Sequence, residues 1–210
     1  MLGAFLRWEN RRRKSYPACF FWKTNFVRVL GIDPGSETTG WGVVESEGSR
    51  YRLVEYGTIK APPRERFSAR LLKISDGIEA VIARLEPNVF SIEEAFYAKN
   101  VQVAIKLGQV RGVALLAAER AGLEIYEYAP RLIKQTIVGY GNAEKHQVQE
   151  MVRVLLALPV VPQPHDAADA LAIGICYFHH AATAGRLLAA EARVKLSSST
   201  LSATRRRILR

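Results

Sequence analysis

Cysteine is nearly absent from this chain: Cys19 and Cys176 are the two it has in 210 residues. They are too few and too far apart for a disulfide framework or a metal-ligand spacing, and their scarcity fits a reducing compartment. Cys176 lies in an apolar helical stretch and reads as a small core residue. Long hydrophobic runs are missing as well. The longest, near Ala170–Phe178, is far short of the ~20 residues that a membrane span needs. The patch Ala18–Trp22, after Arg11-Arg-Arg-Lys14, is shorter than the ~7–15 residues of a signal-peptide core. The expectation is a soluble, cytoplasmic protein with no membrane association. No internal repeat is visible, and no Ser-His-Asp set or reactive cysteine offers nucleophilic catalysis.

What is present supports one folded domain. Hydrophobic residues make up 49% of the chain, enough for a substantial core in a domain of typical size, roughly 150 residues. The net charge of +10 points weakly toward a polyanionic partner. Its distribution says more. Residues 1–26 carry six Lys or Arg against one Glu, and residues 182–210 carry seven against one, which leaves 27–181 at about −1. Basicity sits in the two ends, so any nucleic-acid reading of the body must rest on local clusters.

Along the chain, Val27–Asp33 is an apolar run stopped by Pro-Gly and reads as a buried strand. Gly40–Glu47 and Tyr51–Lys60 read as a hairpin around Glu47-Gly-Ser49. Apolar residues recur at helical spacing from Phe67 to Leu85 (Leu71, Ile74, Ile78, Val81, Ile82, Leu85). Val89–Glu93 is a second short buried strand, followed by a helix at about Val101–Ala121 closed by Gly122. Leu123–Tyr128 is a further strand, and Pro130 opens a short helix through Val138. A helix begins at Asn142 or Ala143 and runs to about Leu156. A proline-rich loop over Leu158–Pro164 precedes the last helix, His165 to about Ala184. Three strands, then strands alternating with helices, predict an α/β fold with a mixed sheet and helices on its faces. Val27–Asp33 and Val89–Glu93 are expected to be parallel neighbours. Their carboxyl ends would then lie side by side, where ligands bind in open α/β sheets. Residues 1–26 stand outside this pattern. They read as a disordered basic extension, or as a segment upstream of a true start at Val27. The folded body is taken as 27–184, and 185–210 as a basic, mobile tail.

Four carboxylates concentrate the chemistry. Asp33 ends Val29-Leu-Gly-Ile-Asp33, Glu93 ends Val89-Phe-Ser-Ile-Glu93, and Asp166 and Asp169 stand three apart in His165-Asp-Ala-Ala-Asp169-Ala-Leu-Ala. Each lies at the end of an element and among apolar residues, where an acid is costly unless a positive charge meets it. Hard oxygen ligands suit magnesium. Two magnesium ions about 4 Å apart would neutralise the cluster, one activating water and the other the leaving oxygen of an in-line phosphoryl displacement. Each acid also has a plainer reading. Asp33 can serve only to cap its turn. Glu93 and Glu94 can be two solvated acids opening a loop, although only one of two adjacent strand residues can face Asp33, and Glu93 continues the buried run. Asp166 can be a helix-opening acid favoured by the dipole. His165, beside it, can be a surface residue or support the site.

Taken in order, the motifs Leu30-Gly-Ile-Asp-Pro-Gly-Ser36, Ile92-Glu-Glu-Ala-Phe-Tyr-Ala-Lys-Asn100, Lys106-Leu-Gly-Gln-Val-Arg-Gly112, Ile133-Lys-Gln-Thr-Ile-Val-Gly-Tyr-Gly141, Ala143-Glu-Lys145 and Asp166-Ala-Ala-Asp-Ala-Leu-Ala172 resemble the RuvC family of bacterial Holliday junction resolvases. The resemblance spans Val27 to about Phe178, roughly three-quarters of the chain. It implies an RNase H-like five-stranded sheet and a homodimer. It also implies magnesium-dependent nicking of opposing strands at a four-way junction, with RuvA and RuvB as branch-migration partners. The family's catalytic and metal-binding acids fall on Asp33, Glu93, Asp166 and Asp169. Some members carry His at the first position of the last pair; here His165 lies next to it, and the spacing to Asp169 favours Asp166. The long basic N-terminus also departs from the family pattern.

DNA contacts follow from local clusters. Lys134 and Lys145 bracket a Gly-rich loop where lysines can approach phosphate, and the family carries DNA-binding lysines at both. Phe96, just past Glu93, is placed to stack on an unpaired base, and Lys99 is a further phosphate contact. The plain alternative for these lysines is a solvated face. The helix Val101–Ala121 is apolar nearly all round (Val103, Ile105, Leu107, Val110, Val113, Leu115, Leu116). It needs two buried faces, one on the sheet and one on a second copy. A two-fold dimer would set two sites on a two-fold junction. Two other functions compete. An actin-like or sugar-kinase ATPase needs a second phosphate loop and about twice the length. A non-catalytic junction-binding module would not need all four acids.

Overall fold

The computed structural model describes residues 26–47, 50–94 and 100–183. Phe96 and Lys99, the N-terminal extension and the C-terminal tail lie outside them. Five strands form one sheet: β1 (Val27–Asp33), β2 (Thr38–Glu47), β3 (Arg50–Lys60), β4 (Val89–Glu93) and β5 (Glu124–Tyr128). Their order is β3-β2-β1-β4-β5. β1 pairs antiparallel with β2 and β2 with β3, while β4 runs parallel to both β1 and β5. The mixed sheet is the one the sequence pattern predicts, including the parallel β1–β4 pair.

The helices are α1 (Phe67–Leu85), α2 (Val101–Arg120), α3 (Pro130–Val138), α4 (Lys145–Leu155) and α5, residues 165–183. α4 opens later than the apolar pattern suggests. Glu144 and Gln147 form a reciprocal capping box, and the Glu144 N–H donates to Gln147 Oε1 at 2.8 Å. That pair satisfies two donors of the first turn and fixes where the helix begins. Asn100 caps α2 through its side-chain oxygen, which accepts from the N–H groups of Gln102 and Val103.

Strand alternation divides the apolar residues between two layers. Leu30, Ile32, Phe90 and Ile92 pack with Ile74 and Ile78 of α1 and Val110 and Ala114 of α2. Val29 and Val89 face the other way, onto Ile133 of α3, Val148 and Val152 of α4, and Leu171 and Ile175 of α5. Full burial of each large aliphatic side chain contributes about 1.5–3 kcal/mol. Cys176 is buried, as the sequence suggests.

α2 buries one face through Val110, Ala114, Ala117 and Ala118. Val101, Val103, Ile105 and Leu116 stand exposed, Val101 at 67%. Within one chain, therefore, this helix has a single covered face. Its composition and length of 20 residues would also suit a bilayer span, but the buried face packs against α1 and β5 of the same fold.

Candidate active site

The parallel β1–β4 register, with Ile32 opposite Ile92, brings the carboxyl ends of the two strands side by side. Asp33 and Glu93 are the next residues on each strand. They line one open pocket of about 170 Å³ together with Asp169, Lys134, Lys145, Pro130, Ile133, Val148, Ala172 and Ile173. Glu94 is exposed, and its N–H is bonded to the Tyr128 carbonyl at 2.9 Å, so it belongs to the β4–β5 edge. The end of β4 is further held by Arg111 of α2, whose Nε donates to the Glu93 carbonyl at 3.1 Å.

Asp169 reaches this pocket because α5 lies directly on the sheet. A Cβ at Gly31 would collide with the Ala170 carbonyl and the Gly174 N–H, and one at Gly40 with the Asp166 carbonyl. Gly40 sits opposite Asp33 in the β1–β2 ladder. The two glycines thus let the backbone of α5 approach β1 and β2 closely, which brings the start of α5, with Asp166 and Asp169, toward the carboxyl end of β1. The buried Ser91 hydroxyl donates to the Ile173 carbonyl at 3.0 Å and ties β4 to the same helix. Asp166 is half-buried and does not line the pocket, although its charge is felt at Asp33 and at Lys145. His165 is exposed, with Nδ1 3.0 Å from Gln149 Oε1, and it does not line the pocket.

The electrostatics are those of a site short of positive charge. Burial, then the fields of Asp169, Glu93 and Asp166, push the Asp33 carboxyl up to about 7. Glu93 is also raised, by burial and by Asp169, against the opposing pull of Lys134 and Lys145. Lys145 Nζ lies 2.6 Å from Asp169 Oδ2. Burial works against its charge, but the bond to Asp169 and the fields of Asp169, Asp33 and Asp166 outweigh it and raise its pKa. Among the described residues, no three acids, histidines or cysteines close tightly enough to grip an ion as they stand. The donor chemistry nonetheless suits a hard divalent cation. The acids are all oxygen donors, and burial together with the neighbouring acids raises the Asp33 pKa to about 7. Lys145 supplies part of the opposing charge.

Lys134 and Lys145 thus sit inside the acid pocket as well as on either side of the Gly139–Asn142 loop. The sequence pattern did not single out Gly31, Gly40 or Arg111. The small residues Ala167, Ala168 and Ala170 of α5, each buried, are the signal that a backbone approaches there.

A mixed five-stranded sheet flanked by helices, with acids converging at the carboxyl ends of adjacent parallel strands, defines an RNase H-like nuclease. Comparison with known proteins narrows this class. The profile of the family described as crossover junction endodeoxyribonuclease RuvC matches residues 29–177. A crossover junction endodeoxyribonuclease RuvC of Chloroflexus aggregans is 51% identical over 160 residues, covering 76% of this chain and 98% of the relative. Among solved structures, Thermus thermophilus RuvC in complex with Holliday junction substrate superposes with a TM-score of 0.71 at 36% identity, over 74% of this chain and 94% of that one. The yeast mitochondrial Holliday junction resolvase Ydc2, at 15% identity and a TM-score of 0.55 over 73% and 79% of the two chains, shares the fold. The chain belongs to the RuvC family of crossover junction endodeoxyribonucleases.

Proposed function

We propose that this chain resolves Holliday junctions by paired nicks in opposing strands, with magnesium as the cation, two ions per subunit, held by Asp33, Glu93, Asp166 and Asp169. The observation that carries the reading is the convergence of Asp33, Glu93 and Asp169 in one pocket, with the charge of Asp166 also felt at Asp33. When bound, the cation supplies a nucleophilic water at neutral pH and charge for the phosphate oxygens of an in-line displacement. The protein's own groups do the rest. Ionised Asp33 and Glu93, at the ends of adjacent strands, fix the centre of the site. Asp169, on a helix locked to the sheet, closes it from the third side. Lys145 pairs with Asp169. It is placed to exchange that carboxylate for a substrate phosphate. Lys134, Lys145, Phe96 and Lys99 are the proposed DNA contacts.

The acting unit is a homodimer joined through the exposed apolar face of α2, working with RuvA and RuvB in the cytoplasm. The body 27–184 forms the nuclease domain, between a basic N-terminal extension and a basic tail. The test uses the full chain and a synthetic four-way junction, with and without magnesium. Paired, symmetric nicks that require the cation are expected. Tight junction binding with no nick at any magnesium concentration would refute the enzyme and favour a binding module.

A further inference from the structure

The turn that follows Asp33 is held through three consecutive carbonyls. Gly35 O accepts from the Thr39 hydroxyl at 2.9 Å, Ser36 O from the Arg70 guanidinium, and Glu37 O from the Ala61 N–H at 2.8 Å. The donors come from the start of β2, from α1 and from the residue after β3. Thr39 and Ala61 are fully buried and Arg70 is 6% exposed, so the donors are buried while the turn that carries the acceptors is partly exposed.

Arg70 is the unexpected donor. It lies on the face of α1 that buries Ile74, Ile78 and Ile82, at successive four-residue steps where only apolar side chains are expected. A cation there is costly unless it is paired. Among the described residues no carboxylate lies within ion-pair distance of it. Its Nε is buried with no partner, and its guanidinium lies 5.4 Å from the Phe67 ring centroid. Its hydrogen bond goes to the turn, through Nη2 to Ser36 O. Nor is Arg70 among the charges that move the Asp33 pKa. Any influence on Asp33 therefore runs through the backbone. Asp33 is the last residue of β1, three residues before Ser36, and among the described residues Arg70 is the α1 side chain seen to bond to the turn.

We infer that Arg70 is a positioning residue. By fixing the Ser36 carbonyl, with Thr39 fixing its neighbour, it sets where the Asp33 carboxylate stands relative to Glu93 and Asp169. It thereby sets how well the three acids receive a divalent cation. This rests on the reading of the acid cluster as the cation site. Arg70 needs no contact with DNA, so it acts on metal activation and leaves junction affinity alone.

The experiment compares the wild-type chain with Arg70→Met, Arg70→Lys and Thr39→Val on a synthetic four-way junction. Junction affinity is measured in EDTA, single-turnover nicking across a magnesium titration, and folding by thermal melting. For Arg70→Met the half-saturating magnesium concentration rises and the maximal nicking rate falls roughly 10–100-fold, the scale expected for a reactive group displaced by about 1 Å. Junction affinity in EDTA stays at the wild-type value. Arg70→Lys, which keeps a donor but not the planar fork, recovers part of the loss. Thr39→Val removes one hydroxyl at nearly constant shape and moves the magnesium requirement the same way by less. It carries the test should Arg70→Met not fold. A wild-type magnesium profile in folded Arg70→Met, or in Thr39→Val if the first variant fails to fold, overturns the inference. So does junction affinity that falls in step with nicking. Wild-type protein that nicks equally well without any divalent cation would instead strike the proposed cation site, independently of Arg70.

Discussion

The raised Asp33 pKa makes a quantitative statement about the metal-free protein. The carboxyl moves from 3.8 in a free chain to about 7 in the fold. Between those two values the folded state binds more protons than the unfolded state, so stability falls as pH rises. Above pH 7 the folded protein holds an anion that the unfolded chain would rather solvate. At roughly 1.36 kcal/mol per pKa unit, three units correspond to about 4 kcal/mol as an upper limit. Partial exposure and coupling to the other acids reduce this to about 2–4 kcal/mol. Asp33→Asn removes the ionisation and should therefore stabilise the metal-free protein at pH 8 relative to its effect near pH 4.5. For a domain of this size that difference is a rise in Tm of about 5–12 °C. Urea or thermal melts of both proteins in EDTA at the two pH values measure it. Magnesium should reverse the order, since a ligand that binds only the folded state stabilises it and Asp33→Asn lacks one proposed ligand. Wild type and variant with the same change in stability between pH 4.5 and 8 would refute the assignment of a raised carboxyl pKa at Asp33.

Four further outcomes are expected. Asp33→Asn abolishes nicking while keeping junction affinity, measured by gel shift and by strand cleavage on the same junction; nicking at the wild-type rate contradicts the ligand role. Lys134→Ala and Lys145→Ala each weaken cleavage and flatten the dependence of junction binding on salt by about one phosphate contact; an unchanged slope in both speaks against phosphate contact. Leu116→Glu or Ile105→Glu on the exposed face of α2 yields a monomer by sedimentation; a variant that stays dimeric moves the interface elsewhere. Gly31→Ala sets a methyl group against the Ala170 carbonyl and destabilises the fold by about 1–3 kcal/mol, the usual cost of overpacking; a melting temperature equal to wild type would show that α5 does not press on β1.

The sequence by itself determined the elements and their kind. An apolar run stopped by Pro-Gly at β1, period-3.6 apolar positions in α1 and glycine or proline at the breaks are local signals. Local signals set β1–β5 and α1–α5 to within a few residues. The shifted start of α4 depends on a side-chain cap at Glu144 that apolar spacing does not register. Asp33 and Glu93 stand out because each ends a short apolar strand, and Asp169 because it is a carboxylate followed by an apolar helical run; the family resemblance points to the same three. The tertiary structure alone decided how the acids meet. Residues 33, 93 and 169 converge only after the parallel pairing of β1 with β4, and only because Gly31 and Gly40 admit the backbone of α5. It also decided that Lys145 pairs with Asp169, that Asp166 stands back from the pocket, and that Arg70 turns from the core to hold the turn beyond Asp33. Such facts depend on distances between residues far apart in the chain. The pattern along a strand or helix carries burial and periodicity, but a charge feels only what the fold brings near it.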